Sequence, residues 1–383
     1  MLLLSVLWCH PLRAQAQQGV AALPPVNAAA IAERIVKALA PQRGERALIF
    51  YDPAYYPEIT HETEARLLRA GAHPVLLLAF DPPETVAEFS KDPAVGKRQR
   101  EREFAEYLKS VAANTELILW MPTRATYPDL RLEQVFAAGP AGRARGIHFH
   151  WMLPLDGKPA DEIHAVSKLY ERVILQTDYP ALTREQDRLI AAMRGQELRI
   201  TSPAGTDLRI RIASGAWFHK NDGDMSPSRA KTANSARDRE MEFPAGALRV
   251  IPEAASASGK LVLPRALGAE NVTLEFENGR VVRWRAENGE LAFGAVWKNT
   301  GGDVDKIGEI VIGTNPLLVE KTPAGDLPYY GYGSGYVRIS LGDNWESGGT
   351  LRSPDGRPVW LFLEGATLAA GSQVLIRDGK MQK

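Results

Sequence analysis

The chain has 383 residues, 45% of them apolar and 24% charged, enough for two or three globular units. Lys plus Arg and Asp plus Glu are both 46, so the net charge is zero. That balance argues against a nucleic-acid partner, which needs a basic face to displace counterions from phosphates.

At the N-terminus, Leu2, Leu3, Leu4, Val6, Leu7 and Trp8 form an apolar run too short to span a bilayer. Ala14-Gln15-Ala16 follows as an A-x-A cleavage site. Residues 1–16 are expected to be a signal peptide, and the mature protein to be periplasmic or secreted. Cys9 is the single cysteine, so cleavage removes every thiol, disulfide and cysteine metal ligand. No later segment is apolar enough to be transmembrane, so no membrane partner is expected after cleavage.

Residues 17–26, rich in Gln, Ala and Pro, read as a linker. Asn27 caps a predicted helix with an Ile31, Ile35, Leu39 stripe, stopped by Pro41 and Gly44. Ala47–Tyr51 reads as a buried strand. Glu58–Ala70 reads as a helix closed by Gly71, and Val75–Phe80 as the next strand. Lys91–Arg102 opens a long predicted helix that runs through Val111. Strands follow at Glu116–Trp120 and Gly146–Met152. Alternating strands and helices predict a parallel sheet in an α/β domain over 27–195.

Thr183-Arg184-Glu185-Gln186 is a capping-box pattern opening a helix to Met193. After Gly195 the texture changes. Leu198-Arg199-Ile200 and Leu208–Ile212 alternate apolar and polar, as half-buried antiparallel strands do. Hairpins are expected at Asn278-Gly279 and Asp378-Gly379. The fold class is therefore α/β: an N-terminal parallel-sheet domain, then a β-rich α+β domain over 196–383.

Six stretches of the second domain carry a resemblance. Ser202–Leu208 resembles a PxGTDL turn, and Trp217–Gly223 a W-x-x-D-D-G segment. Phe243-Pro244-Ala245-Gly246 resembles NLPAG, and Phe276–Val282 resembles FENGRVV. Ile307-Gly308-Glu309 with Ile312–Pro316 resembles LGEFxIGTNP. Val337–Asn344 resembles VHIALGDN. Together, in this order, they resemble the aminopeptidase T family of two-metal exopeptidases, also called thermophilic or leucyl aminopeptidase-like enzymes. The resemblance implies an α/β domain followed by a β-rich metal-binding domain, a homodimer, and release of N-terminal residues from peptides.

A two-metal hydrolase needs carboxylates and imidazoles converging on ions roughly 3.5–4 Å apart. Matched residue by residue, the resemblance leaves one such ligand, Glu309. Ala247 stands where a Glu is expected, Arg338 where a His is, and Trp345 where a Tyr is. The final His-x-Asp falls on Pro358-Val359-Trp360. None of the seven histidines lies beyond His219. A permanent guanidinium at 338 repels a divalent cation and is expected to pair with Glu309 instead. Glu253, Asp343 and Glu346 lie near the motifs as oxygen donors, a set favouring Ca²⁺, Mg²⁺ or Mn²⁺.

Three further constellations stand out. His148-Phe149-His150 puts two imidazoles on one strand face, with His164 nearby. This spacing suits a metal or an anion, but two ordinary histidines at a strand end are the expectation. Asp222 and Asp224 resemble the start of a calcium loop but lack its closing acid, so a polar turn is expected. Tyr329–Tyr336 alternates aromatics with glycines and, like Gly294, is a candidate for the old substrate cleft beside Trp345, or a mobile loop.

The expectation is an exported, catalytically degenerate aminopeptidase T-like protein that binds a peptide, an amino-acid-like ligand or a partner, without a cofactor. The alternative is an active metal-dependent aminopeptidase with a rearranged site holding Zn, Co, Mn or Mg.

Overall fold

The computed structural model describes residues 23–79, 110–123, 144–151, 159–319, 331–354 and 356–383. The expected signal peptide, the helix over 91–109 and Tyr329 and Tyr330 lie outside these residues.

Helix α1 (Ala28–Leu39) starts where Asn27 accepts the Ala30 N–H and buries Ile31, Ile35 and Leu39. Helix α2 (Pro57–Arg69) carries Pro in its first turn. Helix α3 (Ala160–Gln176) packs on α1. Helix α4 (Tyr179–Met193) begins before the capping box, because Asp178 accepts the Ala181 N–H. The Thr183 hydroxyl donates back to the Tyr179 carbonyl instead of capping. The described end of the expected linker is not free, since Leu23 and Val26 pack on the core.

These helices serve a parallel sheet of β1 (Ala47–Tyr51), β2 (Val75–Ala79), β3 (Leu117–Trp120), β4 (Arg145–Phe149) and β8 (Glu240–Phe243). Its order is β2-β1-β3-β4-β8. The fifth strand comes from beyond residue 195, where the two units were expected to part. Pairing at a sheet edge is non-local, so no local pattern marks it.

An eight-stranded antiparallel sheet contains β5 (Glu197–Thr201), β6 (Asp207–Arg211), β10 (Ser258–Ala266), β11 (Ala269–Glu277), β12 (Arg280–Arg285), β16 (Thr367–Ala370), β17 (Gln373–Arg377) and β18 (Lys380–Met381). Both expected hairpins are present. Asn278 and Gly279 have φ of 50° and 82°, and Asp378 and Gly379 have 50° and 75°, the paired positive values of the tight turn that suits strand twist.

The third sheet, β15-β14-β13-β9-β7, joins β7 (Phe218–Lys220), β9 (Ala247–Val250), β13 (Ile307–Gly313), β14 (Val337–Gly342) and β15 (Pro358–Leu363). Its two faces differ. Leu248, Val250, Ile310, Ile312, Ile339 and Leu361 pack on the eight-stranded sheet in one core. Ala247 and Val311, on the opposite face, join the core of the parallel sheet. The alternation of side chains along each strand thus sends one set of residues to each partner. Between β13 and β14 the chain must pass close to itself. A Cβ on Gly313 would lie 2.0 Å from the Gly333 carbonyl oxygen, so only glycine fits there.

If these two faces are separate packing surfaces, Ile310→Ala lowers unfolding stability by about 2–5 kcal/mol in urea denaturation. The exposed Val282→Ala changes it by less than about 0.5 kcal/mol.

Candidate functional site

In an antiparallel ladder, residues directly opposite share a face. Arg249 lies opposite Val311, and Val311 opposite Arg338. Glu309 lies opposite Ser340, and Ser340 opposite Trp360. Arg249, Glu309, Arg338 and Trp360 therefore project from one face of the third sheet. The parallel sheet supplies the other half. Glu240 and Glu242 alternate on β8, beside His148 on β4 and His150 just after it.

The result is a chain of alternating charges, nearly all buried. His148 Nδ1 lies 2.7 Å from Glu240 Oε1, and His150 Nε2 lies 3.2 Å from Glu242 Oε1. The two imidazole centroids are 4.3 Å apart. Arg237, from the 3-10 turn before β8, donates to Glu240 at 3.0 Å and Glu242 at 3.3 Å and also pairs with Glu346. Arg249 donates to Glu242 at 2.7 Å, and its other arm lies 3.6 Å from Glu309. Tyr332 accepts from Arg249 and donates to Glu242 at 2.7 Å. The Ser347 hydroxyl donates to Glu309. Arg338, 1% exposed, lies 4.0 Å from Glu309. Its guanidinium stacks 4.9 Å over Trp360 and 5.9 Å from the Tyr332 ring.

The electrostatics follow from these contacts. Burial pushes the Glu242 carboxyl up, but Arg249, His150 and Arg237 outweigh it and hold it well below the usual range. Glu309 behaves similarly: burial raises it, while Arg249, Arg338, the Ser347 hydrogen bond and Arg237 bring it below its ordinary value. Glu240 is likewise lowered, with Arg237 and His148 overcoming burial. His150 is pushed down to about 4, by burial first and then by His148, despite Glu242 and Glu240. Arg338 is lowered by burial and by Arg249. The carboxylates are thus ionised and His150 neutral at neutral pH.

The expected positions fall as follows. Glu309 and Arg338 meet, and Trp360 joins them. The nearer cation to Glu309 is Arg249, not Arg338. Trp345 opens the 3-10 turn that carries Ser347 and is half-buried, with the Arg352 guanidinium 5.9 Å over its ring. Ala247 is fully buried, its carbonyl accepting from Asn221 and Gln186. Pro358 starts β15 opposite Gly342. Glu346 is taken by Arg237. Asp343 accepts the backbone N–H groups of Trp345 and Ser353, and Glu253 lies 3.6 Å from exposed Arg211. His164 is exposed on α3. Asp222 is a buried polar-turn residue held by Arg229 at 2.8 Å and Lys220 at 3.1 Å.

Sequence reasoning missed Arg237, Glu240, Glu242 and Arg249, whereas Tyr332 belongs to the Tyr329–Tyr336 run singled out as a cleft candidate. One signal was present: Glu240-x-Glu242 has the same alternate spacing as His148-x-His150. Two such pairs on strands match if the strands are neighbours.

The architecture has known counterparts. The 2,5-dihydroxypyridine dioxygenase of Pseudomonas putida KT2440 superposes with a TM-score of 0.59 at 17% identity, covering 94% of this chain and 98% of that one. Wild-type AmpT from Thermus thermophilus superposes with a TM-score of 0.60 at 15% identity, over 93% and 98%. The chain therefore has a distantly aminopeptidase T-like fold, one also seen in a dioxygenase. No protein-family model and no curated protein matches it.

Two outcomes test the network. Arg249→Met strands Glu242 and Glu309 without their nearest cation and lowers stability by about 3–5 kcal/mol in urea denaturation. Unfolding stability also falls as pH drops from roughly 6.5 to 4, because the unfolded chain protonates its histidine there and buried His150 does not. The lowered Glu240, Glu242 and Glu309 extend this loss below the ordinary carboxylate range, since the folded state takes up their protons only at lower pH. In His150→Asn, the slope between pH 6.5 and 4 flattens.

Proposed function

We propose that this is a non-hydrolytic binding protein on an aminopeptidase T-like scaffold, with guanidinium groups in place of divalent ions. The donor set does not suit a two-metal centre. Both Glu309 oxygens face Arg249, Arg338 and Ser347, and Ala247, Arg338, Trp345, Pro358 and Trp360 bring no ligand atom. An arginine fork satisfies carboxylates directly and cannot be titrated away.

The observation that carries the reading is Arg338. Its Nε and Nη2 are buried and have no hydrogen-bond partner among the described residues, Nη2 reaching Glu309 only at 4.0 Å, while its plane is held by Trp360, which is 37% exposed. A fixed cation with unused donors beneath a partly exposed indole suits the carboxylate of a peptide or amino acid. The protein is further taken to act after export, as a homodimer.

A second reading has an observation of its own. His148, His150, Glu240 and Glu242 place imidazoles and carboxylates in contact, the donor types of Zn, Co or Mn. A cation there must displace Arg237, which bonds both glutamates. Elemental analysis and hydrolysis of leucine p-nitroanilide separate the two. Protein purified without added metal is expected to carry far less than one divalent ion per chain and to show no Glu309-dependent hydrolysis. Near-stoichiometric metal, with chelator-sensitive hydrolysis lost in Glu309→Gln, sinks the binding-protein reading.

The ligand half is tested by thermal shift with dipeptides and free amino acids. A ligand at a hundred times its Kd stabilises the folded state by about 2.7 kcal/mol. Arg338→Gln is expected to abolish that gain.

A further inference from the structure

A cavity of about 490 Å³ lies along the edge strand β7, lined by Trp217, Phe218, His219, Arg194, Asp238 and Ser347 among others. It meets the buried charges at Ser347, whose hydroxyl faces Glu309, and at His219, which lies opposite Arg249 in the ladder. The network described above uses neither its imidazole nor its arginine.

His219 is built into this wall with care. Asp238 accepts from Trp217 Nε1 at 2.7 Å, from the Asn234 backbone at 3.0 Å and from His219 Nδ1 at 3.2 Å. The Trp217 ring stacks on the imidazole, 5.7 Å between centroids and 10° from parallel. Burial pushes Asp238 up, but His219, Trp217 and the Asn234 N–H bring it below its ordinary value. An ionised carboxylate only accepts, so Nδ1 carries a proton toward Asp238, and in the neutral tautomer this leaves a lone pair at Nε2.

That Nε2 is buried, in a side chain 3% exposed, and has no hydrogen-bond partner among the described residues. A buried acceptor left unpaired is costly, and a ligand proton relieves the cost. Arg194, on the same cavity, gives Nη1 to the Ser214 and Ala216 carbonyls at 3.1 and 3.2 Å rather than to a carboxylate. Its guanidinium stacks 4.9 Å over Phe218. The cavity thus combines a fixed cation, two aromatic faces and one oriented acceptor.

We propose that this cavity binds a small planar organic carboxylate that also carries a hydroxyl donor. The carboxylate pairs with Arg194, and the hydroxyl proton is given to Nε2 of His219. The oriented imidazole discriminates between ligands with and without that donor. The assignment is independent of the binding site at Arg338.

The probes are 4-hydroxybenzoate and benzoate, measured by calorimetry on the full chain. 4-Hydroxybenzoate is expected to bind about tenfold tighter than benzoate. His219→Phe keeps a stacking ring and reduces that preference to within about twofold, and Arg194→Gln weakens both probes about tenfold. ¹⁵N-histidine NMR on the wild-type protein adds a test that needs no variant: the His219 ring is the Nδ1–H tautomer, and its Nε2 resonance moves with 4-hydroxybenzoate but not with benzoate. Equal affinities, binding of neither probe, a preference that survives His219→Phe, or an Nε2–H tautomer overturns the proposal.

Discussion

Glu242 is 1% exposed and ionised, and the site is arranged around that constraint. A carboxylate taken out of water loses several kcal/mol of hydration unless neighbours replace it. Three sides of Glu242 are answered by Arg249, Tyr332 and the Arg237–His150 pair. Those partners come from β9, from the approach to β14, from the turn before β8 and from the end of β4. One buried charge therefore ties the parallel sheet to the third sheet through Arg249, Tyr332, Arg237 and His150. Arg249 reaches Glu309 because Glu242 holds its other arm. Tyr332 is positioned for Arg338 because its hydroxyl is committed below.

The two faces of the third sheet make this possible. One face is apolar across β9, β13 and β14 and packs on the eight-stranded sheet. That contact gives the strands a rigid backing, so the opposite face can carry arginines and a glutamate without loss of order. Polar residues at alternate positions of β9, β13 and β14 would be misplaced by any one-residue slip, since a slip exchanges the two faces. The register that buries Ile310 and Ile312 is the same register that aims Glu309 at Arg249.

Much of the fold was legible in the sequence, and for identifiable reasons. Asn27, the Ile31-Ile35-Leu39 stripe, Asn278-Gly279 and Asp378-Gly379 each encode a local geometry within a few residues. Glu309 and Arg338 were also legible as a pair, because aligned motifs place them on neighbouring strands. Arg249 and the two β8 glutamates were not. Their roles depend on β8 joining β4, a pairing between segments far apart in the chain. Helix α4 shows a smaller version of the same limit. Two capping signals compete there, and Asp178 wins because Tyr179 is wanted in the core, where its hydroxyl donates to Ile174.

The fold likeness to an aminopeptidase and a dioxygenase makes the chemistry of the filling decisive, since a shared scaffold licenses neither activity. A divalent ion in such a site is exchangeable, acidifies a bound water and leaves a coordination position open. A guanidinium is none of these. It is covalently part of the chain, stays protonated at every accessible pH and offers donors in one plane. It can orient a carboxylate but cannot generate hydroxide. In the reading proposed, exchanging one filling for the other preserves the charge that Glu242 and Glu309 require while removing the means of hydrolysis. In that reading the electrostatic demand of the scaffold persists without its catalytic use, and Arg338, whose Nε and Nη2 lack hydrogen-bond partners among the described residues, is the proposed place of binding.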